Sequence, residues 1–268
     1  MRNLRLLSII LFVFLFLGVN LSFAASVFDD TSTGIGLIKV NYVSATTAKV
    51  KIMIEKDTQR YIYDLLHNGT TENFPLQLGS GNYKISILEN TSGNSYRLIS
   101  SQTFEVTITD QNSTYLNSIQ NISWGVDSKA VAKAVDLTKG TTDLKKKATL
   151  LWAYMAKNNK YDFKKLATLP TSYVPTVDKT LIDKTGICYD FSSLYAAMLR
   201  SQGIPAKLVK GYAPKNAVGY HAWNEVYDKA TNKWIVIDST YDLQVIAKYP
   251  KLAQMSKPVA DYQKVYEY

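Results

Sequence analysis

Cysteine is nearly absent from this chain of 268 residues, and Cys188 carries its only thiol. No disulfide can form within the chain, so this thiol must be buried, pair with another chain or react. Histidine is almost as scarce, with two residues in all. One cysteine and two histidines are too few for the usual zinc sites, unless carboxylates at an unrecognisable spacing complete the ligand set. The sequence therefore predicts no metal site.

The only long apolar run lies at the N-terminus. Arg2 and Arg5 precede an apolar stretch over residues 6–19, and Ser22 and Ala24 supply small residues at the cleavage positions. This pattern is typical of a secretory signal. A transmembrane anchor is the alternative, but the run is short for a membrane span and no basic stop follows it. We therefore predict a signal peptide over residues 1–24 and a secreted, extracellular protein, with association at the cell surface left open.

Acidic residues are the minority. The chain has 31 Lys+Arg against 22 Asp+Glu, a net charge of +9, which falls to about +7 without the two arginines of the signal. The lysines are spread along the chain, and the short runs at residues 145–147 and 164–165 favour solvated helix faces over a binding patch. Nothing indicates a nucleic-acid module. An exported basic protein is attracted to anionic surfaces, so cell-wall polymers and acidic proteins are candidate partners.

Residues 35–108 follow the pattern of short strands. Apolar residues alternate with polar ones around Ile52, Ile85 and Val106, and turn signals such as Asn68-Gly69 separate the runs. The pattern resembles a small sandwich of the immunoglobulin type. No catalytic set is visible in it, and His67, beside the Asn68-Gly69 turn, is expected to be a surface residue. We predict a β-sandwich accessory domain over residues 25–111.

The pattern becomes helical after a polar stretch at residues 109–114. Ser128 is the predicted cap of a helix through Leu137, and Thr142 that of a helix reaching about Asn158. A loop over residues 169–176, rich in Thr and Pro, leads towards the cysteine. Catalytic groups and loops tend to lie together on a rigid scaffold, so this loop is predicted to form a wall of a substrate cleft.

Cys188 lies in the first turn of a predicted amphipathic helix. The positive end of a helix dipole and a nearby imidazolium both favour the reactive thiolate form. Gly203 and Pro205 provide the signals that end the helix. The residues with helical spacing are Phe191, Leu194, Tyr195, Met198 and Gln202.

A β-hairpin is predicted downstream, with His221 at the start of one strand and Asp238 at the end of the next. With a four-residue loop at residues 228–231, Tyr227 faces Asn232 and His221 falls directly opposite Asp238. A register shift of one residue places the two side chains on opposite faces. Asp190 and Glu225 are the alternative orienting groups if the pair does not meet.

Each of these residues also has an ordinary structural explanation. A lone cysteine is usually a small buried hydrophobe, a histidine is often a satisfied polar group, and an aspartate that ends a strand is often a turn former. Their joint arrangement instead favours a cysteine nucleophile with its base and its orienting carboxylate.

The motifs around these residues extend over about half of the chain, from near Asp143 to Tyr241. They are Gly186-Ile187-Cys188, Gly203-Ile204-Pro205-Ala206, Gly211-Tyr212, His221 to Val226, Trp234 and Asp238-Ser239-Thr240, with Tyr161-Asp162 upstream. In order and spacing this set resembles the core of the transglutaminase-like superfamily, relatives of papain-fold cysteine enzymes. Lys207 stands where many members carry Arg, and Ser239 where many carry Pro. Frequent Asn and Lys beside few Arg favour a bacterial member.

The resemblance implies an α+β fold in which residues 112–268 form a papain-like, transglutaminase-like catalytic domain after the β-sandwich. It also implies that Cys188 is the nucleophile, His221 the general base and acid, and Asp238 the group that orients the imidazole. The implied reaction is acyl transfer at a peptide or side-chain amide, through a thioester. The backbone N–H of Cys188 is one candidate oxyanion donor; the second is unassigned, although Trp152 and Tyr161 lie upstream.

No cofactor is required by this chemistry, and calcium dependence is not implied, because no acidic loop of the EF-hand type occurs. Three classes of function stay open. A hydrolase acting on extracellular peptides or amides comes first, because water is the default acceptor in an open site. A protein-crosslinking transglutaminase needs a site that favours an amine over water. A non-enzymatic wall-bound protein is disfavoured, since all three residues are present. A peptide or protein substrate and a monomeric state are expected.

Overall fold

A computed structural model describes residues 27–213 and 219–268. The predicted signal peptide at residues 1–24 lies outside this range. Within the described part of the chain, no helix is long and apolar enough to cross a membrane.

The first part of the structure is built from antiparallel strands. One sheet has the order β1-β2-β5 and the other the order β4-β3-β6-β7. Alternate residues such as Ile52, Ile54 and Ile85 point into a common core, as the period of two predicts. The strands are β1 (Phe28–Asp29), β2 (Leu37–Val43), β3 (Val50–Lys56), β4 (Gln59–Asp64), β5 (Asn68–Pro75), β6 (Gly81–Ser92) and β7 (Ser95–Val106).

The second part mixes helices and strands. Its sheet has the order β12-β11-β10-β13 with antiparallel neighbours, and β8 and β9 form a short parallel pair. The elements are α1 (Lys129–Thr138), α2 (Leu144–Asn158), β8 (Lys160–Tyr161), α3 (Phe163–Ala167), α4 (Val177–Asp183), β9 (Thr185–Gly186), α5 (Cys188–Ser201), β10 (Ala206–Tyr212), β11 (Tyr220–Asp228), β12 (Lys233–Ile237), α6 (Ser239–Val245) and β13 (Gln263–Glu267).

Helix α5 is the centre of this second part. It begins at Cys188, as predicted, but it is not amphipathic, because every residue from 190 to 200 is buried. It packs on β10 and β11 on one side and on α1, α2 and α4 on the others. Polar groups on its surface are paired: the Ser193 hydroxyl donates to the carbonyl of Asn121 at 2.7 Å, and Asn224 donates to the carbonyl of Ser192 at 2.9 Å. Gln202 and Gly203 then end the helix.

Two helix caps differ from the sequence prediction. Asp143, not Thr142, caps α2, and its carboxylate accepts from the backbone N–H of Lys146 at 2.9 Å. Helix α1 starts after Ser128, but the capping group is the distant carboxylate of Asp178, which accepts from two N–H groups of the first turn and from the Ser128 hydroxyl. A carboxylate is a stronger acceptor than a hydroxyl and also favours the helix dipole.

The C-terminal strand β13 connects the two parts. Gln77 donates to the carbonyl of Glu267 at 3.2 Å, and the ring of Tyr61 packs edge-on against Tyr266 and Tyr268. The predicted domain boundary at residue 111 falls in a 3-10 turn between β7 and α1. Whether the two parts are separable domains stays a prediction.

Arg200, near the end of α5, is fully buried and donates to three backbone carbonyls. These belong to Ala206 at 2.9 Å, Asn117 at 2.6 Å and Tyr268 at 2.9 Å. Burial lowers the pKa of its guanidinium to about 9. One side chain thus fixes the end of the central helix to the segment before α1 and to the C-terminus.

Replacing Arg200 with Met should lower the free energy of unfolding by roughly 3 kcal/mol, because three buried carbonyls lose their donors. Urea unfolding followed by circular dichroism measures the change. Arg60→Met, at an exposed position of β4, is the control and should have little effect. A loss below about 1 kcal/mol for Arg200→Met contradicts the proposed role.

Candidate active site

Cys188 is positioned by the turn that enters α5. It is the first residue of the helix and its side chain is partly exposed. The preceding Gly186 has no room for a side chain, since an added Cβ would lie 2.9 Å from the Asp190 carboxylate. The thiol therefore lies at the positive end of a fully packed helix, as the sequence predicts.

Asp190 holds this turn in place. Its buried carboxylate accepts from the backbone N–H of Ile187 at 2.8 Å, which closes a capping arrangement. It also accepts from the ammonium of Lys165 at 2.6 Å and from the hydroxyl of Tyr173. The lysine run suggested that Lys165 belongs to a solvated helix face. In the structure it is instead the partner of the buried carboxylate of Asp190. Tyr173 belongs to the loop that was expected to border the cleft. The spacing of Ile187 and Asp190 was the only sequence signal for this cluster.

His221 lies at the start of β11, where it pairs with Gly211 of β10. Its Nε2 is 2.9 Å from the Oδ2 atom of Asp238, and both residues are buried. Asp238 follows β12 and caps α6, because its Oδ1 accepts from the backbone N–H of Tyr241 at 2.9 Å. The hydroxyl of Tyr262 also donates to Oδ2 at 2.9 Å. Tyr262 is a second support of this carboxylate that sequence reasoning missed.

The predicted register of the hairpin is wrong, although the predicted contact is present. Asp228 pairs with Lys233 and Asn224 with Ile237, so the four-residue loop covers residues 229–232 and the pairing is displaced by two residues. Asn232 closes the loop in a left-handed conformation, with φ of 57°, which Asn tolerates better than most residues. A displacement of two preserves the faces of both strands. Asp238 lies just beyond β12 and reaches His221 from the start of α6.

The electrostatics favour an ion pair at neutral pH. Burial disfavours the imidazolium, but the charge and hydrogen bond of Asp238, followed by Cys188, raise the pKa of His221 to about 10. Burial likewise opposes the Asp238 carboxylate, but the charge of His221 and the surrounding hydrogen bonds hold its pKa below the usual value of 3.8. The other ring nitrogen of His221, Nδ1, is buried and makes no hydrogen bond within the described residues. It is the nitrogen available to the thiol.

The two pKa shifts also determine how the stability contributed by the His221–Asp238 pair depends on pH. The raised pKa of His221 contributes stability that is complete below about pH 6.5, its ordinary value, and is lost as the pH rises towards 10. The lowered pKa of Asp238 contributes stability that is present above pH 3.8 and is lost as the pH falls further. Between these limits the pair supports the fold while it holds the imidazole in one orientation.

Tyr161 is the group of β8 that lies beside the nucleophile. It pairs with Gly186, two residues before Cys188. Burial, then the charge of Cys188 and a hydrogen bond to its side chain, raise the pKa of Tyr161 to about 12, and a hydrogen bond with the Cys188 backbone opposes them. The phenol is therefore an electrostatic neighbour of Cys188.

Trp152, the other upstream aromatic residue, serves a different group. Its indole N–H donates to Asp242 at 2.8 Å, and Asp242 also pairs with Lys257. Burial raises the pKa of Asp242, although these donors oppose the rise. Trp152 is thus engaged on α6 and not at Cys188. Within residues 27–213 and 219–268, no group of three or more His, Cys, Asp or Glu could hold a metal ion.

A family comparison assigns the segment that contains this site. Residues 131–239 match the model of the transglutaminase-like superfamily. This segment belongs to the transglutaminase-like superfamily. It includes Cys188, His221 and Asp238, and the resemblance inferred from the motifs is confirmed. Members of the superfamily are typically cysteine enzymes.

Individual relatives are more distant. Over 123 residues the chain is 31% identical to uncharacterized protein YebA of Bacillus subtilis. The matched segment is 40% of this chain and 17% of that protein. A candidate cysteine protease from Cytophaga hutchinsonii has 15% identity and a TM-score of 0.46, covering 87% of this chain and 79% of its own. The periplasmic domain of TgpA from Pseudomonas aeruginosa has 15% identity and a TM-score of 0.39, and the match covers 84% of this chain and 94% of that domain.

Replacing Asp238 with Asn should lower the pKa of His221 from about 10 to below about 7, because burial then acts without the opposing carboxylate. Asn keeps an oxygen that can cap α6, so the fold should be retained. An NMR pH titration of the two imidazoles measures the change, with His67, in the other part of the chain, as the internal control. A His221 signal that still titrates above pH 9 in the folded variant would show that another group sets its charge.

Proposed function

We propose that this protein is a secreted, cysteine-dependent acyl-transfer enzyme that acts on peptide or side-chain amides. The observation that carries the proposal is the 2.9 Å hydrogen bond between His221 and Asp238 in a site where the charge of Cys188 acts on the same imidazole. A thiol, an imidazole and an orienting carboxylate are the groups that nucleophilic catalysis at a carbonyl requires.

The charge of the imidazole sets the first step. An imidazolium beside Cys188 favours the thiolate, which attacks the amide carbonyl. His221 then donates its proton to the departing amine, so the C–N bond breaks and a thioester with Cys188 remains. Asp238 stays ionised and stabilises the imidazolium before the proton leaves. Water, activated by the now neutral His221, hydrolyses the thioester and restores the enzyme.

Tyr161 is the proposed second oxyanion donor. Tyr161 pairs with Gly186, two residues before Cys188, and the charge of Cys188 acts on its phenol; we place its hydroxyl where the carbonyl oxygen of a bound amide acquires its charge. The backbone N–H of Cys188 at the start of α5 is the first donor. This assignment completes the part of the site that sequence reasoning left open.

Water is the proposed acceptor, so the activity is that of a peptidase or amidase. The same thioester serves a protein-crosslinking transglutaminase when a lysine amine competes with water, and the triad alone does not separate the two. A non-enzymatic wall-bound protein is the third class. The His221–Asp238 geometry favours the enzymatic classes, because an inert domain has no need to maintain it.

The remaining parts of the chain receive supporting roles in this proposal. Residues 25–111 form an immunoglobulin-like accessory unit, and residues 1–24 direct export. The net charge of +9 favours anionic partners such as cell-wall polymers. The enzyme acts as a monomer, without a cofactor.

Incubation with a glutamine-containing peptide mixture and a primary amine tests the activity. Mass spectrometry separates cleavage or deamidation, expected for a hydrolase, from amine incorporation, expected for a transglutaminase. Cys188→Ala should abolish every product, and Asp238→Asn and His221→Ala should reduce the rate by orders of magnitude. Folded wild-type protein whose thiol reacts with iodoacetamide only after denaturation would instead indicate a buried, structural cysteine.

Replacing Tyr161 with Phe should lower the turnover of the peptide found in that experiment by about 10²-fold, because one oxyanion donor is lost. Alkylation of Cys188 by iodoacetamide forms no oxyanion and should change much less. Tyr154→Phe, a partly exposed position of α2, is the matched control. Equal losses of turnover and of alkylation would assign Tyr161 to the reactivity of the thiol rather than to the oxyanion.

A further inference from the structure

Lys210 is a partly buried cation that lies beside Cys188 and has no carboxylate partner within the described residues. It lies on β10, and its ammonium is 3.7 Å from the ring centroid of Tyr189, the residue that follows Cys188. The ring of Tyr268 lies on the other side at 5.1 Å. Within residues 27–213 and 219–268 the structure gives it no ion pair, and both rings make cation–π contacts with it.

The other well-buried lysines of the described chain are each paired with a carboxylate. Lys207 and Lys257 have carboxylate oxygens within 3.0 Å, the partly buried Lys165 pairs at 2.6 Å, and the more exposed Lys264 pairs at 2.7 Å. A buried charge is costly unless it is paired. Contact with aromatic faces offsets part of this cost but does not neutralise the charge. Lys210 thus lacks the carboxylate partner that these four lysines have.

The position of Lys210 on the sheet brings it to the nucleophile. Helix α5 packs on the sheet face that carries Asn224 and its cross-strand partner Leu208, since Asn224 donates to Ser192. Lys210 is two residues after Leu208 and shares that face. Burial lowers the pKa of Lys210 to about 8, and the charge of Cys188 opposes this decrease. The ammonium and the thiol are therefore electrostatic neighbours.

Exposed tyrosines surround this ammonium. Tyr212 pairs with Tyr220 across β10 and β11, with ring centroids 5.4 Å apart, and Tyr266 pairs with Lys210 across β13. These three side chains are 40 to 52% exposed. Tyr266 is the cross-strand neighbour of Lys210 and Tyr212 is two residues further along β10, so these side chains share its face of the sheet.

We propose that Lys210 determines specificity by binding a carboxylate of the substrate next to Cys188, so that the enzyme prefers peptides with a free carboxylate close to the attacked amide. The proposal rests on the function proposed above and adds the class of substrate. The substrate carboxylate supplies the partner that no carboxylate of the described chain supplies, and the tyrosines pack against the apolar groups that accompany it.

Iodoacetate and iodoacetamide test this proposal without knowledge of the natural substrate. The two reagents are nearly the same size, but iodoacetate carries a carboxylate where iodoacetamide carries a neutral amide. Cys188 is the only thiol that they can alkylate. In Lys210→Met the rate constant for iodoacetate should fall about fivefold or more, while that for iodoacetamide changes less than about twofold. Because His221 attracts anions in both proteins, the change between wild type and variant is assigned to Lys210.

Three further variants sharpen the result. Lys210→Arg keeps the charge and should retain most of the preference for iodoacetate. Lys210→Gln is a second neutral variant in case Lys210→Met does not fold. Lys233→Met is the control at an exposed position of β12, at the loop end of the hairpin. It changes the net charge by the same amount and should behave as wild type.

Two outcomes overturn the proposal in different ways. If the wild type reacts with both reagents and the neutral variants slow both equally, Lys210 acts on the packing or on the thiol itself rather than on a carboxylate, and the proposed enzymatic function is untouched. If neither reagent labels the folded wild type, the nucleophile itself is refuted and the substrate class with it.

Discussion

The burial of helix α5 is the constraint on which the rest of the catalytic part depends. All of its residues from 190 to 200 are inaccessible, and the two charged ones, Asp190 and Arg200, lie near its two ends. A buried charge is tolerated only with its partners in place. Lys165 and Ile187 therefore fix the start of the helix, and the carbonyls around Arg200 fix its end. The helix cannot slide or rotate without leaving one of these charges unpaired, so the thiol at its first residue has a fixed position.

The pairing of buried charges also explains the site around that thiol. Asp238 accepts hydrogen bonds from His221, Tyr262 and the first turn of α6, so its two oxygens are held by three separate elements. Preorganised groups of this kind need no rearrangement when charge develops in a reaction. Lys210 departs from the pattern, since its charge is near Cys188 but has no carboxylate partner within the described chain. A cation that lacks a carboxylate partner in the protein is a position where a substrate can supply one.

The N-terminal strands influence the site through the C-terminal strand. β13 forms the edge of the catalytic sheet beside β10, and its residues also contact Tyr61 and Gln77 of the first part. Tyr268 belongs to both hydrophobic clusters and lies against Lys210. The packing of the strand-rich part thus reaches the surroundings of Cys188 without supplying any member of the proposed triad.

The sequence by itself determined the features that depend on neighbours along the chain. Alternating apolar residues predicted the strands around Ile52 and Ile85, and the position of Gly203 predicted the end of α5. The order of the motifs predicted the family, and the hairpin predicted that His221 meets Asp238, although in a register displaced by two residues. The tertiary structure decided what depends on partners far apart in the chain. Asp190 with Lys165, Arg200 with Tyr268 and the distant cap Asp178 are long-range pairs that no periodicity encodes. The hairpin register depended on the left-handed Asn232, and only packing could leave Lys210 without a carboxylate. Local preferences act over a few residues, whereas the pairing of a buried charge is decided by whichever groups the finished fold brings within reach.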